Sequence, residues 1–400
     1  MNIKTDISAN EIQRAMHTPF HTRTAAACKT NEWVRWGAYT TVDFYHTVES
    51  EYFATRNQTS LFDTSPMIKY HIHGEQAEVF LNRLVTRDMR KLKIDRVAYV
   101  VFCNDRGYVL DDGTLFRMSE NEFRLCVQDR HLPWLLDTAT GFNVEIEDVT
   151  EDIAGLAVQG PTSCAVLKRV GLNGVQDLRP FQFTHYDYHG GSLTVSRTGF
   201  TGDLGYELWV NPELAVTLWD ELMAVQEFHQ VVPMGSQALD LLRIEAGFIL
   251  PHADFVPAHL CLRPNRGRSP IELGLGWLVD FRKGHFNGRR ALLNERKSGS
   301  RYETVPLDIG GNKPANDALL YHGQTTEIGH VTSAMWSPTC KRNIAIATIE
   351  AGRQGMWNDL WADIYVQKEL KWQRSMERCH IVDEPFFNPA RRYATPPTDF

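Results

Sequence analysis

Residues 196–210, SRTGFTGDLGYELWV, constrain the fold of this chain more than any other stretch. Two strand-favouring runs, 193–196 and 206–210, flank a centre in which glycine recurs every third residue, at Gly199, Gly202 and Gly205. That spacing suits neither a helix interior nor a central strand, since each glycine costs backbone entropy and packs nothing. It suits a tight hairpin turn whose backbone must approach something closely. The polar residues it carries are Arg197, Thr198, Thr201 and Asp203, with Glu207 on the second strand. No phosphate-loop lysine follows and no Rossmann fingerprint is present, which argues against nucleotide phosphate binding.

A chain of 400 residues is too long for one core and predicts two or three domains. The net charge of −7 argues against a general nucleic-acid binder, because a phosphate backbone needs an excess of cations facing it. Seven cysteines are scattered and odd in number, with no C-x-x-C pair. Neither a disulfide framework nor a metal site is therefore expected, and a reducing cytoplasm fits best. The first twenty residues mix charges throughout and contain no apolar core of signal-peptide length. No apolar run is long enough to span a bilayer, so no membrane partner is expected.

Along the chain, residues 1–66 contain a tryptophan-bearing segment around 33–36, a helical stretch at 43–57 and turn chemistry at 60–66. Residues 67–150 read as a compact unit. A strand at 67–73 precedes a helix at 75–86, where Ala77, Phe80, Leu81 and Leu84 fall at helical spacing. Strands at 97–104, 107–117 and 122–127 follow, then a helix at 131–139 and a strand near 142–147. This order suggests a split βαβ, ferredoxin-like layer. A further unit begins with a strand at 153–158 and a helix at 162–170, and continues through the hairpin to helices at 212–225 and 235–248. After an irregular proline- and arginine-rich segment at 257–270, the last hundred residues carry short strand runs split by Gly, Asn and Pro. That pattern suggests a β-barrel or jelly-roll module.

The hairpin resembles the R-T-G-[YF]-T-G-x-x-G-[FYW]-E signature of the folate-dependent aminomethyltransferase family. That family includes the glycine-cleavage T-protein, dimethylsulfoniopropionate demethylase and the folate domains of dimethylglycine dehydrogenases. The resemblance extends to residues 51–88, to residues 323–347 and to the closing Pro385, Phe386 and Phe387. It implies an α+β protein with a three-domain cloverleaf around a central folate channel. The implied division is a discontinuous first domain at 1–66 and 151–297, a ferredoxin-like domain at 67–150 and a C-terminal barrel at 298–400. It also implies tetrahydrofolate as cofactor.

Residues 104–112, NDRGYVLDD, place two carboxylates side by side near a strand end, where only one can face a given pocket. The resemblance puts a catalytic aspartate in this element, and register to Tyr99 favours Asp112 over Asp111. Such a carboxylate near the folate nitrogens would orient or deprotonate the attacking amine. Glu207 suits a pterin edge, since a carboxylate accepts two parallel N–H bonds from a guanidine-like group. The matched positions Tyr99, Arg197, Phe200 and Tyr206 are further candidates for folate binding. Arg243 and Glu245, in LRIEAG, read as a structural salt-bridged helix face.

One departure matters: T-proteins carry A-R-D where this chain has Ala238, Leu239 and Asp240. Losing that arginine, together with the absence of any flavin or nicotinamide fingerprint, favours tetrahydrofolate-dependent demethylation of a small sulfonium or quaternary ammonium donor. The alternative is a T-protein-type aminomethyltransferase working on a lipoyl carrier protein. A non-catalytic folate-binding assembly protein is the third reading, disfavoured by the absence of a K-G-C-Y-x-G-Q-E element.

Overall fold

In a computed structural model that describes residues 15–397, the glycine-spaced stretch is the connection of a hairpin. Part of the N-terminal stretch read above, residues 1–14, lies outside the described residues, as do residues 398–400. Strands Gly191–Ser196 and Gly205–Val210 pair antiparallel, with Thr194 opposite Trp209 and Ser196 opposite Glu207. The object that the turn approaches is the side chain of Gln159, on the neighbouring strand Ala154–Gln159. Its Nε2 donates to Thr198 O at 3.3 Å and Tyr206 O at 3.1 Å, and its Oε1 accepts from Thr201 Oγ1 at 2.9 Å. A Cβ at Gly199 or Gly205 would lie 2.1 or 2.3 Å from that buried amide, so neither position has room for a side chain. Gly202 is needed for a different reason. Its φ is +73°, and a Cβ there would meet the Cβ of Ala246 at 2.5 Å.

The hairpin belongs to a six-stranded sheet ordered Phe183–Tyr188, Gly191–Ser196, Gly205–Val210, Ala154–Gln159, Thr59–Asp63, Val231–Pro233. Only the last pair is parallel. A five-stranded antiparallel sheet runs Arg96–Cys103, Val109–Arg117, Glu122–Val127, Ile68–His73, Glu145–Asp148. Helices Ala77–Leu84 and Leu132–Ala139 cover one of its faces through Phe80, Leu81, Leu84 and Leu135. Beyond residue 302 six strands close into a barrel around Leu307, Leu320, Val331, Ile349 and Leu360. This mixed helix-and-sheet architecture with a C-terminal barrel is the expected fold class. No described helix is long and apolar enough to cross a membrane.

Two local expectations are corrected. The stretch 43–57 is not one helix, because Tyr39–Phe44 is a strand and the helix is Val48–Asn57. Glu51 explains the break: its carboxylate accepts from the backbone N–H of Tyr45, His46 and Gly235 at 2.7–2.9 Å, so the chain before it must turn back. Thr47 then caps the new helix by accepting from Ser50 N. Residues 60–66 were expected as turn, but Thr59–Asp63 is a fully buried strand flanked on both sides. A strand buried on both faces shows no alternation for a sequence reading to detect.

A buried charge network ties the glycine turn to neighbouring helices, the barrel and the C-terminal segment. Arg56 donates from Nε and NH2 to Glu245 Oε2 at 3.0 and 2.6 Å, and from NH1 to Thr201 O at 2.8 Å. Glu245 Oε1 accepts from Tyr52 Oη and, across in the barrel, from Ser337 Oγ. Asp203 on the turn binds Arg391 of the C-terminal segment at 2.6 and 2.8 Å, and the Phe387 ring lies 3.7 Å over the Arg56 guanidinium. Arg243 forms a second hub, donating to Asp240, Asp254 and Ser333. The salt-bridged reading of Arg243 and Glu245 is therefore what the fold contains. Arg56→Met leaves Glu245 buried without its charge partner, so urea unfolding should show a loss of about 3–5 kcal/mol. A loss below about 1 kcal/mol would mean that the ion pair does not hold these parts together.

Candidate functional site

The site begins with a β-bulge. On the paired strands Arg96–Cys103 and Val109–Arg117, Cys103 faces Val109 and Phe102 faces Asp111, leaving Leu110 as the extra residue. Bulges re-aim the side chains that follow them. Here Leu110 and Asp111 both turn toward the helix-covered face, and Asp112 turns to the opposite face.

Asp111 is fully buried and saturated. Its Oδ1 accepts from Asp112 N at 2.8 Å, and its Oδ2 accepts from Gln128 N, Asp129 N and His131 Nε2 at 3.1, 2.8 and 3.0 Å. Asp112 is only partly buried, and it receives the hydroxyl of Tyr99. Burial, with the Asp111 charge adding to it, pushes the Asp112 carboxyl up to about 7. The Tyr99 hydroxyl is in turn pushed up by burial and by Asp112.

The face that bears Asp112 continues through Thr114 and Phe116, with Cys126 in register beside Thr114. It packs on the six-stranded sheet, since Phe116 meets Phe183 and Trp209 at ring distances of 5.4 and 6.0 Å. Trp209 and Glu207 share a face of their strand, so Glu207 also points into this interface. The carboxylate of Glu207 is raised by burial, and Thr198, itself bonded to Ser196, donates to its Oε2. Across the interface the Cys126 thiol is pushed up to about 11 by burial, with Glu207 among the charges raising it. Beside it stands Thr114, whose side chain hydrogen-bonds the Cys126 thiol. A carboxylate with capacity to accept and a protonatable aspartate on facing sheets form a pair suited to a flat, amide-rich heterocycle such as a pterin.

Three of the sequence candidates are placed elsewhere. Arg197 donates from NH1 to Leu178 O at 2.8 Å and from NH2 to Arg392 O and Ala394 O, so it ties the turn to the C-terminal segment. Phe200 stacks on Phe248 at 5.4 Å. Tyr206 lies one residue from Glu207 on the opposite face, buried in the core with Leu156, Val166 and Leu208. Leu239 is partly buried and packs against the apolar cluster that includes Val101, Tyr99 and Leu242. Sequence reasoning missed Trp277 and Arg87. The Trp277 ring is 67% exposed and 6.2 Å from the Tyr99 ring. The half-buried Arg87 donates to Tyr99 O at 3.2 Å, and burial lowers its pKa. Arg87, flanked by Thr86 and Asp88 in LVTRDM, carried no signal in the sequence that would single it out.

Comparison with known proteins places the whole chain among characterised sequences and folds. Residues 16–283 match the GCVT N-terminal domain family, and residues 304–388 match the glycine cleavage T-protein C-terminal barrel domain. The chain is 32% identical over 348 residues to an aminomethyltransferase of Caldanaerobacter subterraneus, covering 86% of this chain and 88% of that one. It is 31% identical over 355 residues to one from Moorella thermoacetica, covering 87% and 92%. The crystal structure of glycine cleavage system aminomethyltransferase T from Bartonella henselae superposes with a TM-score of 0.83 at 25% identity, covering 94% of this chain and 99% of that one.

The pKa of Asp112 gives a stability test that is independent of turnover. A carboxyl whose pKa is raised on folding binds its proton more tightly in the folded state. Folding stability is therefore lost as pH rises from about 4 toward 7 and stays lower above that range. Asp112→Asn removes this loss while still accepting from Tyr99. Its melting temperature should exceed that of the wild type above pH 7, and the gain should vanish near pH 4. A variant less stable than the wild type at pH 8 would contradict the environment described here.

Proposed function

The chain belongs to the glycine-cleavage T-protein family of folate-dependent one-carbon transferases, and from that premise we propose that it is an aminomethyltransferase acting with tetrahydrofolate. In this reading an aminomethyl group carried on the sulfur of a lipoyl carrier protein loses ammonia, its C–S bond breaks to leave the dihydrolipoyl dithiol, and its carbon passes to the folate as 5,10-methylenetetrahydrofolate. The observation that carries the reading is the partly exposed Asp112–Tyr99 pair, lying on a sheet face that packs against the face bearing Glu207. Tetrahydrofolate supplies the nucleophilic amine nitrogens.

This chain's residues would do the rest. Glu207, oriented by Thr198 and Ser196, would accept the pterin N–H groups. Asp112 would accept or return a proton at the reacting nitrogen, which its raised pKa suits near neutral pH. Tyr99 would fix the Asp112 carboxylate, and Asp111 would hold the strand that presents it. Arg87 beside Tyr99 would receive an anionic end of the folate or of the donor.

One observation keeps demethylation as a second reading. Leu239 sits on an apolar cluster at the position where T-proteins have a ligand-contacting arginine, so the cation that those proteins use there is missing. A donor that gives up a methyl group from an onium centre would yield 5-methyltetrahydrofolate, with no redox partner needed.

The two readings separate by product. The protein should be supplied with tetrahydrofolate and either an aminomethylated lipoyl carrier or a panel of sulfonium and quaternary ammonium acids, and the folate product weighed. Ammonia with methylenetetrahydrofolate supports the first reading, and methyltetrahydrofolate from an onium donor replaces it with the second. In either case Glu207→Ala should weaken tetrahydrofolate binding by roughly 10- to 100-fold, through donors left unpaired in a buried site. Asp112→Asn should lower turnover by about 10²- to 10⁴-fold with a smaller effect on folate affinity. Unchanged affinity in Glu207→Ala would remove that residue from the site.

A further inference from the structure

On the helix-covered side of the five-stranded sheet, away from Asp112, a cluster of histidines and carboxylates stands outside the site described above. Asp129 follows the strand Glu122–Val127, and His131 immediately precedes the helix Leu132–Ala139. His252 and His259 come from the irregular segment after the helix Ser236–Glu245. One potential ligand atom from each of Asp129, His131 and His259 lies within 4.8 Å of the others. His252 Nε2 is 2.8 Å and His259 Nε2 3.6 Å from the same oxygen, Asp129 Oδ2. The rings of His131 and His259 meet edge to face at 4.9 Å.

We propose that Asp129, His131 and His259, with His252 as a fourth donor, bind a divalent transition-metal ion of the zinc class. Three imidazoles and one carboxylate suit zinc, whereas calcium and magnesium prefer all-oxygen shells. The arrangement behind the cluster also points to a metal. His131 is buried, its backbone N–H donates to Tyr70 Oη at 2.7 Å, and its Nε2 is held 3.0 Å from the buried carboxylate of Asp111. With Nε2–H donated to Asp111, Nδ1 keeps its lone pair. A carboxylate behind a ligating histidine is the arrangement that fixes the tautomer and raises basicity at metal centres.

Ligand atoms on a tetrahedral zinc with bonds of about 2.0–2.1 Å stand roughly 3.4 Å apart, so the cluster needs to contract by about an ångström. The exposed His259 has room to make that movement. The other grouping of this kind, His71, His73 and Glu147, lacks such support. It lies on an accessible sheet surface, its histidines face Glu122, Glu145 and Glu147, and no buried carboxylate stands behind a ligand. A bound ion at the first cluster would cross-link the segment that carries Asp254, the partner of Arg243, to residues 129–131, which Asp111 joins by hydrogen bonds to the strand that presents Asp112. The scattered cysteines gave no hint of a metal, because every ligand here is histidine or aspartate.

The test uses the full-length protein, stripped with chelator and titrated with zinc against a chromophoric competitor. About one zinc per chain should bind, cobalt should give the intense visible absorption of a tetrahedral site, and zinc should raise the melting temperature. His259→Ala, an exposed position that should fold normally, should weaken zinc binding at least 100-fold. Asp111→Asn should weaken it by roughly 10- to 100-fold by releasing His131. The double variant His71→Ala/His73→Ala should bind as the wild type does. Failure to bind zinc at micromolar concentrations overturns the proposal. So does binding that survives His259→Ala, or binding that is lost in the His71→Ala/His73→Ala variant instead.

Discussion

Two adjacent aspartates on one strand cannot face the same way, and the arrangement of this molecule depends on which of them faces where. The extra residue at Leu110 settles it, turning Asp111 under the helices and Asp112 toward the sheet that carries Glu207. The two carboxylates then have opposite environments. Burial raises the pKa of both, but Asp111 accepts four hydrogen bonds and serves as a structural anchor, whereas Asp112 has one side-chain donor, Tyr99. A carboxyl that burial pushes up to about 7 and that keeps accepting capacity is suited to proton transfer, and one saturated by backbone amides is not.

That placement has meaning only if the two sheets keep their positions. The interface between them is apolar where Phe116, Phe183 and Trp209 meet, and apolar packing alone would tolerate sliding. Position is fixed instead by directional groups. Between the sheets Val97 N donates to Phe181 O at 2.9 Å and Phe183 N to Asp95 O at 3.1 Å. On the six-stranded side Gln159 holds the glycine turn, and Arg56, Glu245, Asp203 and Arg197 join it to the barrel and the C-terminal segment. Such networks add specificity of arrangement more than net stability, because the cost of desolvating the charges offsets much of their attraction.

Much of this was legible in the sequence. The glycine spacing announced a turn under close approach, the helical spacing of Ala77, Phe80, Leu81 and Leu84 announced a helix, and the strand runs after residue 300 announced the barrel. The signature carried the family. What stayed hidden was set by contacts distant in sequence. The strand Thr59–Asp63 is buried on both faces and so shows no periodicity, and Glu51 divides an apparent helix by capping amides from three places. Matching the signature could not separate Glu207 from Tyr206, although strand alternation puts them on opposite faces. Nor could it show that Arg197 and Phe200 spend their side chains on the C-terminal segment and on Phe248. The bulge at Leu110 leaves no mark in composition or spacing.

The central claim is that the pterin lies between the Asp112 face of one sheet and the Glu207 face of the other. A crystal structure of the chain with 5-formyltetrahydrofolate, a stable folate, tests it most directly. The account predicts pterin N–H groups at hydrogen-bond distance, about 2.7–3.2 Å, from the Glu207 carboxylate. It also predicts Asp112, not Asp111, as the acidic side chain nearest N5. A pterin bound elsewhere, or one between the sheets with Glu207 turned away from it, would contradict the account.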